Sequence, residues 1–146
     1  MAFPRPPLSL KGRALRLLSQ REHSRAELER KLAPHEEEPG TLVQALDELQ
    51  ARGFISEERV VESVVHRRAS KLGTARVQQE LVAKGLSAQA MTEALAQLRS
   101  TELDRAREGC ARKFGETSAD PKERARQIRF LLSRGFAAEV VRQVTR

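Results

Sequence analysis

Three segments of the 146-residue chain repeat one pattern: LQARGF at 49–54, LVAKGL at 81–86 and LLSRGF at 131–136. Each has Leu, two further residues, Arg or Lys, Gly, and then Phe or Leu. This pattern describes the end of a helix. Glycine just past the last turn takes a left-handed conformation that a Cβ disfavours, and the apolar residue after it folds back onto the Leu of the closing turn. Gly53, Gly85 and Gly135 are therefore expected at positive φ, with Phe54 over Leu49, Leu86 over Leu81 and Phe136 over Leu131. The glycines stand 32 and 50 residues apart, so the units they mark are related but unequal. Short helical units of this kind bury little alone and must stack on their neighbours.

Between the stops, apolar residues recur at the spacing of one helix face. Leu10, Ala14, Leu17 and Leu18 predict a first helix. Ser24 with Glu27 three residues on is a capping-box pattern opening a second along Leu28 and Leu32. PHEEEPG at 34–40 is a loop, and a third helix follows on Leu42, Ala45, Leu46 and Leu49. From Ser56 a longer helix is expected along Val60, Val61, Val64, Val65, Ala69 and Leu72. It stops at Gly73, and Thr74 caps a fifth on Val77 and Leu81. Ser87 opens a sixth on Met91, Ala94, Leu95 and Leu98. A seventh on Leu103, Ala106, Cys110 and Phe114, an eighth behind Asp120 and Pro121 on Ala125, Ile128 and Leu132, and a ninth on Val140, Val141 and Val144 complete the set. No alternating strand pattern accompanies them. The expected fold is all-α: three tandem three-helix repeats resembling helix-turn-helix modules, at 10–55, 56–98 and 99–146, in an elongated curved array. A flexible Pro-rich N-terminus at 1–9, with Pro4, Pro6 and Pro7, precedes them.

Composition narrows the function classes. Aromatic residues make up only 3% of the chain, and Trp and Tyr are absent, which suits aliphatic helix packing. No apolar run approaches the ~18 residues of a membrane span, and the N-terminus lacks the apolar core of a secretory signal. A cytoplasmic monomer is the expectation. The single cysteine, Cys110, excludes an intramolecular disulfide framework and a cysteine-rich zinc site; on the apolar stripe between Ala106 and Phe114 it reads as a buried small hydrophobe. Gly109 beside it is unusual, because glycine inside a helix costs about 1 kcal/mol relative to Ala. His23, His35 and His66 are scattered. No HExxH or phosphate-cradling glycine loop occurs, and Glu57 with Glu58 occupy a helix first turn, where the dipole favours them. The chain is read as a non-enzyme without metal or cofactor.

The net charge is +7, and its distribution is uneven. Residues 1–55 and 56–98 each carry an excess of one positive charge, whereas residues 99–146 carry five. A local excess points to a polyanion or an acidic protein surface. Two clusters stand out. His66, Arg67, Arg68 and Lys71 crowd one helix end. Lys122, Arg126 and Arg129 form a stripe at i, i+4 and i+7, with Arg124 nearby and Ala125 and Leu132 opposite; Arg126 and Arg129 have no acidic residue at i−4 or i+4. A helix-turn-helix repressor is the alternative reading, but its base-reading helices would carry Asp47 and Glu48 or, in the next module, Glu93 without a basic residue; only the last, with Arg142 and Arg146, is basic. Stacking on single-stranded DNA is poorly supplied, since Phe54, Phe114 and Phe136 have core or cap roles.

RGFISEERVVES at 52–63, RRASKLGTARVQQELVAKGL at 67–86, RKFG at 112–115 and RFLLSRGF at 129–136, together with ALRLLSQREHSRAELERKL at 14–32, resemble the RecX regulatory proteins of bacteria. The likeness covers residues 10–145. It implies the three-repeat fold and binding to the RecA filament on single-stranded DNA, with inhibition of ATP hydrolysis, strand exchange and the co-protease activity behind the SOS response. The chain departs from the family pattern at Val60, where an aromatic is usual, and at Gly109 and Cys110, where a hydrophobic and Trp pair is usual; both changes shrink the core. The resemblance brings no catalytic set. The partner-binding candidates, for RecA or for weak non-specific DNA contact, are Arg67, Arg68, Lys71, Arg76, Lys122, Arg124, Arg126 and Arg129, chosen on physical grounds.

Overall fold

The computed structural model describes residues 7–116 and 118–146. Of the Pro-rich lead, positions 1–6 lie outside the described residues, and Pro7 to Ser9 is non-helical. The described residues form eight α-helices and no strand: α1 (Leu10–Gln20), α2 (Arg25–Leu32), α3 (Thr41–Ala51), α4 (Glu57–Arg68), α5 (Thr74–Ala83), α6 (Ala88–Phe114), α7 (Pro121–Ser133) and α8 (Ala138–Val144), with a 3₁₀ turn at Ala33–His35. They group into two compact units, one up to Val60 and one from Val61 to Arg146.

Local signals set the helix starts. Ser24 Oγ accepts from the Glu27 amide at 3.1 Å, and the Glu27 carboxylate accepts from the Ser24 amide at 3.0 Å, so two orphan donors of α2 are satisfied reciprocally. Ser9 caps α1, Ser87 caps α6, and Asp120 with Pro121 starts α7. The stops form as the repeats predict. Gly53, Gly85 and Gly135 have φ of 82°, 75° and 88°. The amides of Phe54, Leu86 and Phe136 donate to the carbonyls of Leu49, Leu81 and Leu131, and each glycine amide donates to the carbonyl three residues back. Leu86 and Phe136 are buried, as expected of the folded-back residue, but Phe54 is 45% exposed. Its backbone closes the motif while its ring faces solvent.

The first unit packs Leu28, Leu32, Leu42, Leu46, Leu49 and Ile55 around Ala14. His23 is buried beside this core: its Nδ1 donates to the Arg21 carbonyl at 3.0 Å, and Lys31 Nζ donates to its Nε2 at 3.1 Å. In the second unit Val64, Val77, Leu81, Met91, Leu95 and Leu98 are buried along α4, α5 and α6. Cys110, Leu131, Phe136, Val141 and Val144 surround Ala106 farther on.

Three expectations need correction. The sixth and seventh helices are one, α6, so eight α-helices stand where nine were expected. No Gly or Pro separates Leu98 from Leu103, and Ser100 and Thr101 bond back to the Gln97 carbonyl inside the helix. Glu102 and Arg105 interrupt the apolar stripe at this point, yet both are buried. Arg105 donates to the carbonyls of Ala69, Leu72 and Leu98 and to the hydroxyls of Thr74 and Thr101. Glu102 accepts from the Thr74 amide at 2.6 Å and the Ala137 amide at 3.2 Å, so a single carboxylate sits at the N-termini of α5 and α8, where the helix dipoles favour it.

Second, α4 ends at Arg68 rather than Leu72. Residues 69–72 turn, with two of their carbonyls held by Arg105. Gly73, not Thr74, is the N-cap of α5. Gly73 has an ordinary φ of −72°, but its amide donates to the Arg134 carbonyl at 2.8 Å, and an added Cβ would overlap the Gly135 carbonyl. Third, α7 buries Gln127 and Leu131, whereas Leu132 is 47% exposed. The expected apolar face is rotated by one position, and the buried Gln127 Oε1 has no hydrogen-bond partner among the described residues.

Candidate partner-binding surface

The eight candidate cations divide by what their side chains touch. Arg68, at the last turn of α4, pairs with Glu80 of α5 at 3.2 Å. Arg76 is a structural clasp: its Nη1 donates to the Ser133 carbonyl at 2.7 Å, and its aliphatic stem lies against Gly135. Arg126, expected to be unneutralised, pairs with Glu123 at 3.1 Å. The correction has a simple cause, since residues three apart on a helix are neighbours as much as residues four apart. Such exposed pairs are worth little, about 0.2–1 kcal/mol. By contrast, the exposed side chains of Lys122, Arg124 and Arg129 have no hydrogen-bond or ion-pair partner among the described residues. The same holds for Arg67 and Lys71.

The structure brings one member of the first sequence cluster, Lys71, to the end of the helix that carries the second. Lys71, in the turn after α4, shares one surface cavity with Phe130 of α7, with Arg134 just past the end of α7 and with Arg112 and Lys113 of α6. Lys122, Arg126 and Phe130 are each four residues apart and form one ridge of α7, and Arg134, which caps its C-terminus, continues the spacing. The stripe expected from the sequence ends at Arg129. Continuing the four-residue spacing beyond Arg126 reaches Phe130 and Arg134, a signal that the sequence does carry. Arg112 and Lys113 lie in the RKFG segment, but their convergence with Lys71 depends on packing across α4, α6 and α7.

No group of three or more potential metal-ligating side chains occurs among the described residues, and no described helix is long and apolar enough to cross a membrane. Cys110 is buried, and burial pushes its thiol pKa upward, which keeps it protonated and unreactive. Burial also lowers the Arg105 pKa, opposed by Glu102.

Models of the first, second and third three-helix domains of RecX match residues 11–49, 56–95 and 100–145. The regulatory protein RecX of Leptothrix cholodnii is 62% identical over this whole chain, which spans 93% of that relative. The chain belongs to the RecX family. The RecX regulatory protein of Ralstonia nicotianae is 52% identical, with 99% of this chain and 91% of the relative covered. The crystal structure of RecX from Lactobacillus salivarius superposes with a TM-score of 0.74 at 19% identity, covering 92% of this chain and 91% of that one; this likeness shows the fold. RecX membership makes the protein a regulator rather than an enzyme, built from three RecX three-helix domains.

Proposed function

We propose that this RecX protein is a negative regulator of the RecA recombinase. It binds the RecA filament on single-stranded DNA and lowers its ATP hydrolysis, strand exchange and co-protease activity. The full-length 62% identity to a RecX regulatory protein carries this reading. The surface supports it: Arg67, Lys71, Lys122, Arg124 and Arg129 present charge that no carboxylate among the described residues neutralises, which suits the acidic groups of a nucleoprotein filament. The repeats at 10–55, 56–98 and 99–146 serve as its contact modules. The protein acts in the cytoplasm as a monomer, without a cofactor.

Free DNA is bound weakly, with little sequence preference and a steep salt dependence, because phosphate contacts release counterions. The direct test is RecA ATPase on single-stranded DNA with this protein added below the RecA concentration. Hydrolysis falls if the proposal holds; an unchanged rate across protein and salt concentrations contradicts it. A protected footprint on one promoter at physiological salt would instead support a helix-turn-helix repressor.

A further inference from the structure

The cavity between the turn after α4, the C-terminal part of α6 and the end of α7 has a volume of about 420 Å³. Lys71, Arg112, Lys113 and Arg134 line it, with no acidic residue among its walls. None of the four cations has an ion-pair partner among the described residues. Their placement is fixed by other contacts. Arg112 donates one N–H to the Ser70 carbonyl at 2.6 Å. The Arg134 guanidinium lies 5.1 Å from the Phe130 ring centre, and Lys113 Nζ lies 6.0 Å from it. Phe130 is held edge-on against Phe114, with ring centres 5.4 Å apart.

Gly109 lines the same cavity. It sits inside a 27-residue helix, where glycine is disfavoured. Its backbone does not require glycine, since it is not among the residues at positive φ. Close packing does not require it either: an added Cβ would meet only the Arg112 guanidinium, at 3.9 Å. What the missing side chain provides is open space in the cavity wall.

A ring of unneutralised cations beside an aromatic ring and a guanidinium plane has the two elements that single-stranded nucleic acid uses, phosphate neutralisation and a flat stacking surface. The volume lies within the roughly 300–1,000 Å³ of ligand pockets, so it has room for more than a lone oxyanion. An acidic peptide would meet the cations but leave the Phe130 ring unused. The cavity also stands at one end of the α7 ridge that continues through Arg126 to Lys122, a path a polymer can follow. We propose that this cavity binds one nucleotide unit of single-stranded DNA, its phosphate against Lys71, Arg112 and Lys113 and its base against the Phe130–Arg134 pair. The inference rests on the DNA binding proposed above and names its site.

The test uses fluorescence anisotropy of a labelled oligo(dT) with the full chain at low salt. Gly109→Leu fills the cavity from inside the helix, and Gly109→Ala leaves most of it open. The Leu variant is expected to weaken binding by about tenfold, the size of one lost stacking contact, while its thermal midpoint holds or rises. The Ala variant keeps wild-type affinity within about twofold. Loss of affinity without loss of stability is an outcome that a purely structural role for Gly109 does not give. If Gly109→Leu fails to fold, Lys113→Gln combined with Arg134→Gln on the exposed rim carries the same expectation. Unlabelled dTMP should displace the probe better than inorganic phosphate, and polyglutamate should displace it poorly. Wild-type affinity in a folded cavity-filled or rim variant overturns the site assignment. Equal displacement by phosphate overturns the role of the base, and strong displacement by polyglutamate assigns the cavity to an acidic protein segment instead. Absence of any wild-type binding overturns the DNA reading itself.

Discussion

Gly53 and Gly135 share a left-handed backbone but not an environment. At Gly53 nothing lies within 4 Å of an added Cβ, so Gly53→Ala costs only the conformational penalty, about 1–2 kcal/mol. At Gly135 the added atom would overlap the Arg76 side chain. Gly135→Ala should therefore lower the denaturation midpoint more than Gly53→Ala, and equal losses would show that Arg76 yields freely. His23 supplies a pH-dependent counterpart in the first unit. Burial, opposed by its bond to the Arg21 carbonyl, holds the imidazole below its ordinary pKa. The unfolded chain takes up this proton near pH 6.5, and the folded chain does so only at lower pH. Its contribution to stability is thus complete above about pH 6.5 and is lost as pH falls below it. Between about pH 7 and pH 5 the urea midpoint of the wild type should fall further than that of His23→Gln; parallel falls would place the titration elsewhere.

At the scale of elements, α6 depends on a buried charge network that no local pattern announces. Arg105→Met would leave the carbonyls of Ala69, Leu72 and Leu98 without their guanidinium donor, at a cost of about 3 kcal/mol or more. Chemical denaturation followed by circular dichroism measures this, and a wild-type midpoint would mean that the network adds nothing net. The helix starts at Ser24, Ser87 and Asp120 and the stops at Gly53, Gly85 and Gly135 are legible in the sequence, because each motif is closed by residues within about six positions. The continuity of α6 is not, because Glu102 and Arg105 look like surface residues until the turn after α4 and the starts of α5 and α8 deliver groups that they bind. The α7 face is misplaced from sequence for a related reason: Gln127 is buried although polar, and Leu132 is exposed although apolar. The same limit applies to the candidate site. Its basic residues can be named from sequence, but the Arg68–Glu80 pair and the Arg76 clasp depend on packing between helices.

Across the whole molecule, family membership and the uneven charge converge on one claim, that the basic surface of the second unit contacts the RecA filament or the DNA it holds. The most direct measurement is inhibition of RecA ATPase on single-stranded DNA by two double variants beside the wild type. Lys122→Glu with Arg129→Glu reverses two cations on α7 that have no partner among the described residues; Arg13→Glu with Arg16→Glu makes an equal charge change on α1. Surface substitutions of this kind usually alter stability by about ±0.5 kcal/mol each, whereas opposed charges at an interface cost several kcal/mol, so both variants should keep wild-type helical content. The α7 variant should lose most of its inhibition while the α1 variant keeps it. Full inhibition by a folded α7 variant, or equal loss in both, would contradict the claim.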